Sequence, residues 1–360
     1  MKLHRLVILL NAALAGAVLA QTAPDQLLLK DYRPRSIYKV PSHHIERAKF
    51  PVIDAHSHAY AQSPAEVDAW VKTMDRAGIE KTIILSYAVG AEFDSIYAVY
   101  TAYPGRFEVW CGLDFSGYNQ PGYGPAAVAE LERCYKVGAR GVGELGDKGE
   151  GLVYGRVPAP GMHLDDPRMD PLLEKCADLG MPINIHVGEP IWMYQPMDST
   201  NDGLMNGFSW RLDNKPGIID LAGMVQNLER AVKRHPRTTF IACHFANCDY
   251  DLAKVGRLLD LYPNLWCDIS ARYAETAPVP RATRAFYEKY SKRLLYGTDM
   301  GMDPAMYAIT FRILESTDEH FYEIDHFNYH WPLYGLGLSD KVLKRVYRTN
   351  ALKALYPGRK

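Results

Sequence analysis

Short apolar runs alternate with amphipathic stretches along most of the chain. Eight of these runs have apolar residues at both odd and even positions, so each would be apolar on both faces of a strand. Most of them are bounded by polar or glycine residues. They are VIDAH (52–56), TIILSY (82–87), FEVWCGLDF (107–115), ARGVGEL (139–145), PINIHV (182–187), TTFIACHF (238–245), NLWCDIS (264–270) and RLLYGTD (293–299). Strands that are apolar on both faces are typical of a parallel sheet covered by helices.

Helical patterns, with apolar residues every three to four positions, lie between the runs. Examples are residues 64–78, 126–138, 170–180 and 219–236. Eight β/α units over about 300 residues suit a closed (β/α)8 TIM barrel. A doubly wound open sheet is the competing fold, but no glycine-rich phosphate loop follows an early strand. The pattern therefore predicts an α/β protein with a TIM barrel.

Two connections are longer than a barrel needs. They are residues 188–218, after the fifth strand, and residues 300–337, after the eighth. Both follow strand ends, so we expect them to form walls or a lid over the catalytic face. No linker or repeat divides the chain, and the predicted domain is residues 51–357, preceded by a lead-in over residues 21–50.

The first 20 residues have the pattern of a cleavable secretory signal peptide. Lys2 and Arg5 precede an apolar stretch that begins at Leu6, and small residues lie near Ala20. The stretch is short for a membrane-spanning helix, which needs about 20 apolar residues. We expect a secreted or periplasmic protein.

Charge and cysteine content narrow the functional classes. Lys plus Arg (41) balance Asp plus Glu (42), so nothing predicts binding to nucleic acid or to an anionic membrane, and a small-molecule substrate is expected.

The six cysteines are few for an exported chain of this length. Most lie in apolar patterns, which indicates buried side chains rather than a disulfide framework. Pairing of Cys243 with Cys248 stays open.

Ionisable residues gather at the predicted strand ends. His56 and His58 share one face of the first strand, because residues i and i+2 point the same way. His186, His244 and Asp299 close the fifth, sixth and eighth strands. In a barrel these ends meet at one face, and the resulting N/O set suits a divalent metal, above all Zn²⁺, with Mn²⁺, Fe²⁺ or Ni²⁺ also tolerated.

The motifs DAHSH and YGTD, the two later strand-end histidines and the closing NALKALY (350–356) resemble the metal-dependent amidohydrolase superfamily. The similarity is greatest to the amidohydrolase-related branch that includes aminocarboxymuconate-semialdehyde decarboxylase. The resemblance implies a barrel of the metal-dependent hydrolase type. It also implies that His56, His58, His186 and Asp299 serve one catalytic metal, with His244 as a ligand or as the residue that orients water or substrate.

Glu144 ends the fourth strand, where binuclear superfamily members carry a bridging carboxylate or a carboxylated lysine. Lys148 is too far along the loop to be the obvious substitute. If Glu144 is a ligand, two ions about 3.5–4 Å apart become feasible. Otherwise it supports a ligand histidine or Arg140 by hydrogen bonding. The sequence leaves both alternatives open, so the expected cofactor is one divalent ion or two.

The expected reaction is hydrolysis of a C–N or C–O bond by metal-activated water, with Asp299 transferring the proton and His244 holding or polarising the carbonyl. The alternative is non-oxidative decarboxylation of an unsaturated or aromatic acid, which needs a cation for the substrate carboxylate. Arg272 is the candidate, unless it pairs with Asp268 or Glu275 instead. A non-catalytic metal-binding barrel is the third hypothesis, and the presence of both Asp299 and His244 counts against it.

Further candidate substrate contacts come from loops. Trp192 and Tyr194, in the first long connection, either line an aromatic-accepting pocket or pack that connection down. His163, after the fourth strand, either faces substrate or packs its loop. The aromatic segment 327–337 covers either its own barrel or the partner in a homodimer, and the sequence does not separate these alternatives.

Overall fold

The computed structural model describes residues 23–356. The predicted signal peptide lies outside this range. Among the described residues, no helix combines the length and apolar character that crossing a membrane requires. All six cysteines are described, and all are buried and unpaired, so the Cys243–Cys248 bridge is absent and the prediction of buried cysteines is confirmed.

Strands and helices alternate as the hydrophobic pattern predicts. The strands are β1 (Val52–Ser57), β2 (Ile79–Leu85), β3 (Phe107–Trp110), β4 (Val142–Asp147), β5 (Gly151–Tyr154), β6 (Ala159–Pro160), β7 (Ile183–Val187), β8 (Phe240–Ala242), β9 (Leu265–Asp268) and β10 (Leu294–Leu295). The helices are α1 (Pro64–Ala77), α2 (Gly90–Thr101), α3 (Pro125–Val137), α4 (Asp170–Leu179), α5 (Leu204–Gly207), α6 (Leu221–Arg234), α7 (Leu252–Leu261), α8 (Tyr273–Thr276), α9 (Pro280–Tyr290), α10 (Pro304–Glu315), α11 (Asp340–Lys344) and α12 (Asn350–Ala354).

The eight predicted strands are β1 to β4 and β7 to β10, and their ladders are parallel. The hydrophobic pattern did not predict β5 and β6, which form an antiparallel hairpin after β4. The second long connection is also less irregular than expected, because it contains α10. That helix buries residues on most sides, from Met306 to Leu314, and so lacks the polar stripe by which an amphipathic helix is detected.

The strand ladders form two sheets rather than one continuous ring. One sheet has the order β1-β2-β3 and the other β10-β9-β8-β7-β4-β5-β6. Isolated backbone hydrogen bonds cross both seams: Gly143 N donates to Cys111 O at 2.9 Å, and Ala55 N donates to Tyr296 O at 2.9 Å. The predicted ring of eight strands is therefore present without a fully closed ladder.

The interior of the sheets holds a small apolar cluster separate from the main core between sheet and helices. Its members include Ile53, Ile83, Trp110, Ile241 and Leu295, and α12 covers it with Ala351 and Ala354. This packing fills one end of the ring, so the polar strand-end residues lie at the other end.

The seam between β1 and the chain after β10 depends on one buried carboxylate. Asp54 Oδ2 accepts from Thr298 Oγ1 at 2.6 Å, and Asp54 Oδ1 accepts from Thr298 N at 3.1 Å. Gly297 permits this close approach, because a Cβ there would lie 2.9 Å from the Cβ of His56. The first and last strands are thus held together next to the strand-end histidine.

We expect Asp54→Ala to lower the free energy of unfolding by about 3 kcal/mol, because it leaves the buried Thr298 donors without acceptors. Asp75→Ala, which removes an exposed ion pair to Arg106, is the matched control and should cost less than about 1 kcal/mol. Urea denaturation measures both. Equal losses in the two variants would contradict this role of Asp54.

Candidate metal centre

Three histidines direct the same ring nitrogen toward a common point. The Nδ1 of His56 lies 2.9 Å from Asp268 Oδ2, that of His58 lies 2.9 Å from Leu85 O, and that of His244 lies 2.8 Å from Ser270 O. Each acceptor takes a hydrogen bond from Nδ1, so Nε2 is the ring nitrogen that remains to bind an ion. This is the arrangement in which protein imidazoles bind metal ions.

Two groups of ligand atoms surround that point, each with all its atoms within 4.8 Å of one another. The first group contains His56, His58 and Asp299, and the second contains His56, Glu144, Cys243 and His244. In the first group, His58 Nε2 lies 2.9 Å from Asp299 Oδ1 and His56 Nε2 lies 3.6 Å from the same oxygen. His56 therefore belongs to both groups.

Glu144 belongs to the second group and also faces the first, with one oxygen toward each. Its Oε2 is 3.6 Å from His58 Nε2, and its Oε1 is 3.5 Å from His244 Nε2. Oε1 also accepts from His186 Nδ1 at 3.0 Å. The Glu144 side chain can therefore take both roles that the sequence left open. It can face an ion, and it holds His186 by a hydrogen bond.

His186 has a different orientation from the other three histidines. Its Nδ1 faces Glu144, and its Nε2 lies 3.6 Å from Glu189 Oε2 without a hydrogen bond. His186 belongs to neither ligand group, although its ring centroid is only 4.8 Å from that of His244. The structure therefore places His186 as the partner of Glu144, beside the candidate ion positions.

The electrostatics of the centre favour a bound cation. Burial opposes charge on His56, but the adjacent Asp268 carboxylate outweighs it and raises the pKa of His56 to about 10. Burial would likewise raise the pKa of Asp268, but His56 lowers it to about 2. Among the described residues, no lysine or arginine forms an ion pair with Asp268, Glu144 or Asp299. Positive charge must therefore come from protons on the imidazoles or from a metal ion.

The side chains present fit a divalent ion. The Nε2 of His56 is fully buried and has no hydrogen-bond partner, a condition that costs free energy unless the lone pair is used. Imidazole nitrogens with carboxylate oxygens form the borderline-hard donor set preferred by Zn²⁺ and accepted by Mn²⁺.

Sequence reasoning missed Tyr87. Its hydroxyl donates to Glu144 Oε2 at 2.7 Å and lies 3.2 Å from His58 Nε2, and its ring stacks on that of His58. It follows β2 with a φ of +59°, a left-handed conformation that is uncommon for a bulky residue. The run TIILSY ends on this tyrosine, but only the left-handed backbone turns its side chain into the centre.

A small cavity of about 10 Å³ adjoins Glu144 and Tyr87. Its other lining side chains are mostly apolar or aromatic: Leu113, Phe115, Leu145, Leu152 and Tyr154. They come from the chain after β3, from β4 and from the unpredicted hairpin. The aromatic residues expected from the first long connection are not among them.

The two aromatic candidates pack within the long connections. Trp192 lies against Gly203 and is 6.0 Å from the ring of Trp331, and the Tyr194 hydroxyl accepts from Glu189 N at 3.2 Å. Trp192 and Tyr194 therefore pack the first long connection against the rest of the chain and do not line the cavity. The segment 327–337 covers its own chain, where Trp331 Nε1 donates to Ala274 O at 3.0 Å.

The remaining candidates have partners of their own. His163 Nδ1 lies 2.7 Å from Asp147 Oδ2, which ties its loop to β4. Arg272 is buried and donates to Asn247 Oδ1 from both Nε and an amino nitrogen, with Glu275 Oε1 at 3.7 Å. Asp268, the other suggested partner of Arg272, holds His56 instead.

Asp268 holds the ring of His56 so that its Nε2 faces the candidate ion position. We expect Asp268→Asn to weaken Zn²⁺ affinity by about 10- to 100-fold, since loss of an orienting carboxylate has this effect at other zinc sites. Asp260→Asn, which changes an exposed carboxylate bonded to Tyr290, is the control. Competition titration with a chromophoric chelator measures the affinities. Unchanged affinity in Asp268→Asn would show that His56 does not need this partner.

Comparison with known proteins agrees with the fold and the centre. The amidohydrolase family model matches residues 43–356. No curated protein is significantly similar to the chain.

Similar solved structures include an uncharacterized TIM-barrel protein from Bordetella bronchiseptica, with 15% identity and a TM-score of 0.52 over 85% of this chain and 98% of that one. A dihydroxybenzoic acid decarboxylase from Polaromonas sp. JS666, solved with manganese and an inhibitor, has 16% identity and a TM-score of 0.53 over 87% and 98%. A manganese complex of 5-carboxyvanillate decarboxylase from Novosphingobium aromaticivorans has 13% identity and a TM-score of 0.50 over 85% and 96%. The structural similarity establishes a shared TIM-barrel fold, and the family match over most of the chain shows that it belongs to the amidohydrolase family.

Proposed function

We propose that the protein is a metal-dependent hydrolase that cleaves a C–N or C–O bond of a small molecule, such as an amide, lactone or lactam. The observation that carries this proposal is the position of Glu144, with one oxygen toward each ligand group. A carboxylate in this position could hold two ions, and paired ions are used by hydrolytic enzymes such as phosphatases and aminopeptidases. Zn²⁺ is the ion we propose, on the basis of the imidazole-rich donor set.

A divalent ion bound in this centre supplies Lewis acidity, which makes water a stronger acid and polarises a carbonyl group. Asp299 supplies the base. Burial opposes its ionisation, but the His58 contact and the charges of the neighbouring histidines lower the pKa of Asp299 below its ordinary value. The carboxylate is therefore ionised at neutral pH and, with an ion lowering the pKa of the water, would take the proton from that water and pass it to the leaving nitrogen or oxygen.

His244 is better placed as a ligand than as a group that polarises a carbonyl. Burial lowers the pKa of His244, so the ring is neutral at pH 7. Its single proton is on Nδ1, which faces Ser270 O. Nε2 then offers only a lone pair and has no hydrogen to donate to a substrate oxygen.

The cavity beside Glu144 has an apolar and aromatic lining. At about 10 Å³ it has room for roughly one water molecule, so a substrate would enter it only if the lining side chains move. Phe115 and Leu152 offer apolar contact, and Tyr87 reaches the cavity with a hydroxyl. Burial raises the pKa of Tyr87 far above its ordinary value, so this hydroxyl stays protonated.

Decarboxylation is the second candidate, and two observations support it. A fold relative of this chain is a dihydroxybenzoic acid decarboxylase solved with manganese, and Arg272 offers a buried cation. That guanidinium, however, already faces Glu189 and Asp249, both at 3.9 Å, in addition to Glu275. A substrate carboxylate would have to displace these carboxyl groups from the guanidinium, so we rank this reaction below hydrolysis.

Asp299→Asn should reduce turnover by about 10²- to 10⁴-fold, because the amide cannot accept the proton from water. Metal binding should persist, since the amide oxygen and the histidines remain. Asp303→Asn, four residues further along in contact with His326, is the control. Rates on a panel of aryl esters, lactones and amides give the activity, and undiminished hydrolysis in Asp299→Asn would refute the assigned base.

Metal stoichiometry separates the two reactions. We expect two Zn²⁺ per chain by elemental analysis, loss of hydrolysis after chelation, and its recovery when Zn²⁺ is restored. One ion per chain together with CO₂ release from a hydroxybenzoic acid would favour decarboxylation instead. A purified protein that binds no divalent ion would contradict both.

A further inference from the structure

Cys243 lies in the metal centre, although the sequence pattern indicates a core residue. It follows β8 and directly precedes His244, and it is fully buried. Its thiol donates to Asn184 Oδ1 at 2.7 Å. Its sulfur belongs to the second ligand group, with His56, Glu144 and His244.

The separations within this group match ligands that share one ion. Zinc binds nitrogen and oxygen at about 2.0–2.2 Å and sulfur at about 2.3 Å, so two ligands on a tetrahedral ion lie roughly 3.3–3.7 Å apart. His244 Nε2 and Glu144 Oε1 are 3.5 Å apart, and His56 Nε2 is 3.8 Å from the same oxygen. The sulfur of Cys243 lies within 4.8 Å of each of these three ligand atoms.

The other cysteines serve packing. Cys111 donates to Gly141 O, and Cys134 donates to Glu130. Among the described residues, Cys243 alone of the six cysteines joins a group of metal-ligating side chains. Cys248 lies five residues further along the same turn, is equally buried and is outside both groups.

His56 cannot serve both groups at once, because its Nε2 has a single lone pair. If His56 binds with His58 and Asp299, the second position keeps Glu144 Oε1, His244 Nε2 and the sulfur of Cys243. Three protein ligands plus one open position are typical of a catalytic zinc site. Without the sulfur, the second ligand group would offer only Glu144 Oε1 and His244 Nε2 to this position.

We propose that Cys243 binds the second ion as a thiolate, together with Glu144 and His244. The inference rests on the proposed function, since it completes the two-ion centre on which hydrolysis depends. On binding, the S–H bond breaks, the sulfur–metal bond forms, and the proton leaves to solvent, so uptake of the second ion releases one proton from this thiol. A soft sulfur ligand gives this position a preference for Zn²⁺ or Co²⁺ over Mn²⁺.

Cobalt substitution tests the proposal without an activity assay. The full chain, stripped of metal by a chelator, is titrated with Co²⁺ alone while its near-ultraviolet absorption is recorded. A thiolate bound to Co²⁺ produces an intense charge-transfer band that nitrogen and oxygen ligands do not give. We expect this band to grow with one of the two equivalents of Co²⁺ and not with the other.

Matched variants assign the band to one sulfur. Cys243→Ser should lose the band and reduce the bound ions from two to one per chain, whereas Cys248→Ser should keep both. A band that persists in Cys243→Ser would overturn the proposal. A wild-type protein that binds two Co²⁺ without the band would also overturn it, and this result needs no variant to fold.

The titration also separates this inference from the proposed function. Two bound ions without the charge-transfer band leave the two-metal hydrolase intact and reject only the sulfur ligand. Failure to bind Co²⁺ at all, confirmed by elemental analysis, rejects both.

Discussion

The acceptors behind the histidine rings determine what this centre can do. A neutral imidazole has one proton and one lone pair, and the group that takes the proton decides which way the lone pair points. Asp268, Leu85 O and Ser270 O take the Nδ1 protons of His56, His58 and His244, and all three are fixed by β-strands or their ends. The direction of the Nε2 atoms is therefore a property of the sheet rather than of flexible side chains.

The backbone that follows several strands of this centre also has an unusual conformation. Several residues after strand ends have left-handed conformations without being glycine, among them Tyr87, His244, Ala271 and Asp299, with φ between +51° and +68°. Each such residue costs free energy that the rest of the fold must offset. The gain is that the chain turns sharply at the strand end, which brings Tyr87, His244 and Asp299 to one point.

Much of the fold follows from the apolar pattern, because buried parallel strands and amphipathic helices have distinct periods. The histidine pair on the first strand and the acid after the last were also recognisable, since a parallel barrel gathers its strand ends. Asp268 was missed, although a charged residue inside the apolar run NLWCDIS is a signal, because a buried carboxylate requires a partner. The roles of Tyr87 and the orientation of His186 depend on backbone angles and on Glu144, which strand periodicity does not determine.

The bonds between Asp54 and Thr298 join residues that are 244 positions apart. The centre takes ligands from both sides of this seam, so it is complete only when the last strand has docked against the first. Any ion held there consequently stabilises the whole chain and not one segment of it. At a free ion concentration of about 1,000 times Kd, mass action adds about 4 kcal/mol to the folded state. In such a protein, metal supply governs how long the folded chain persists as well as how fast it works.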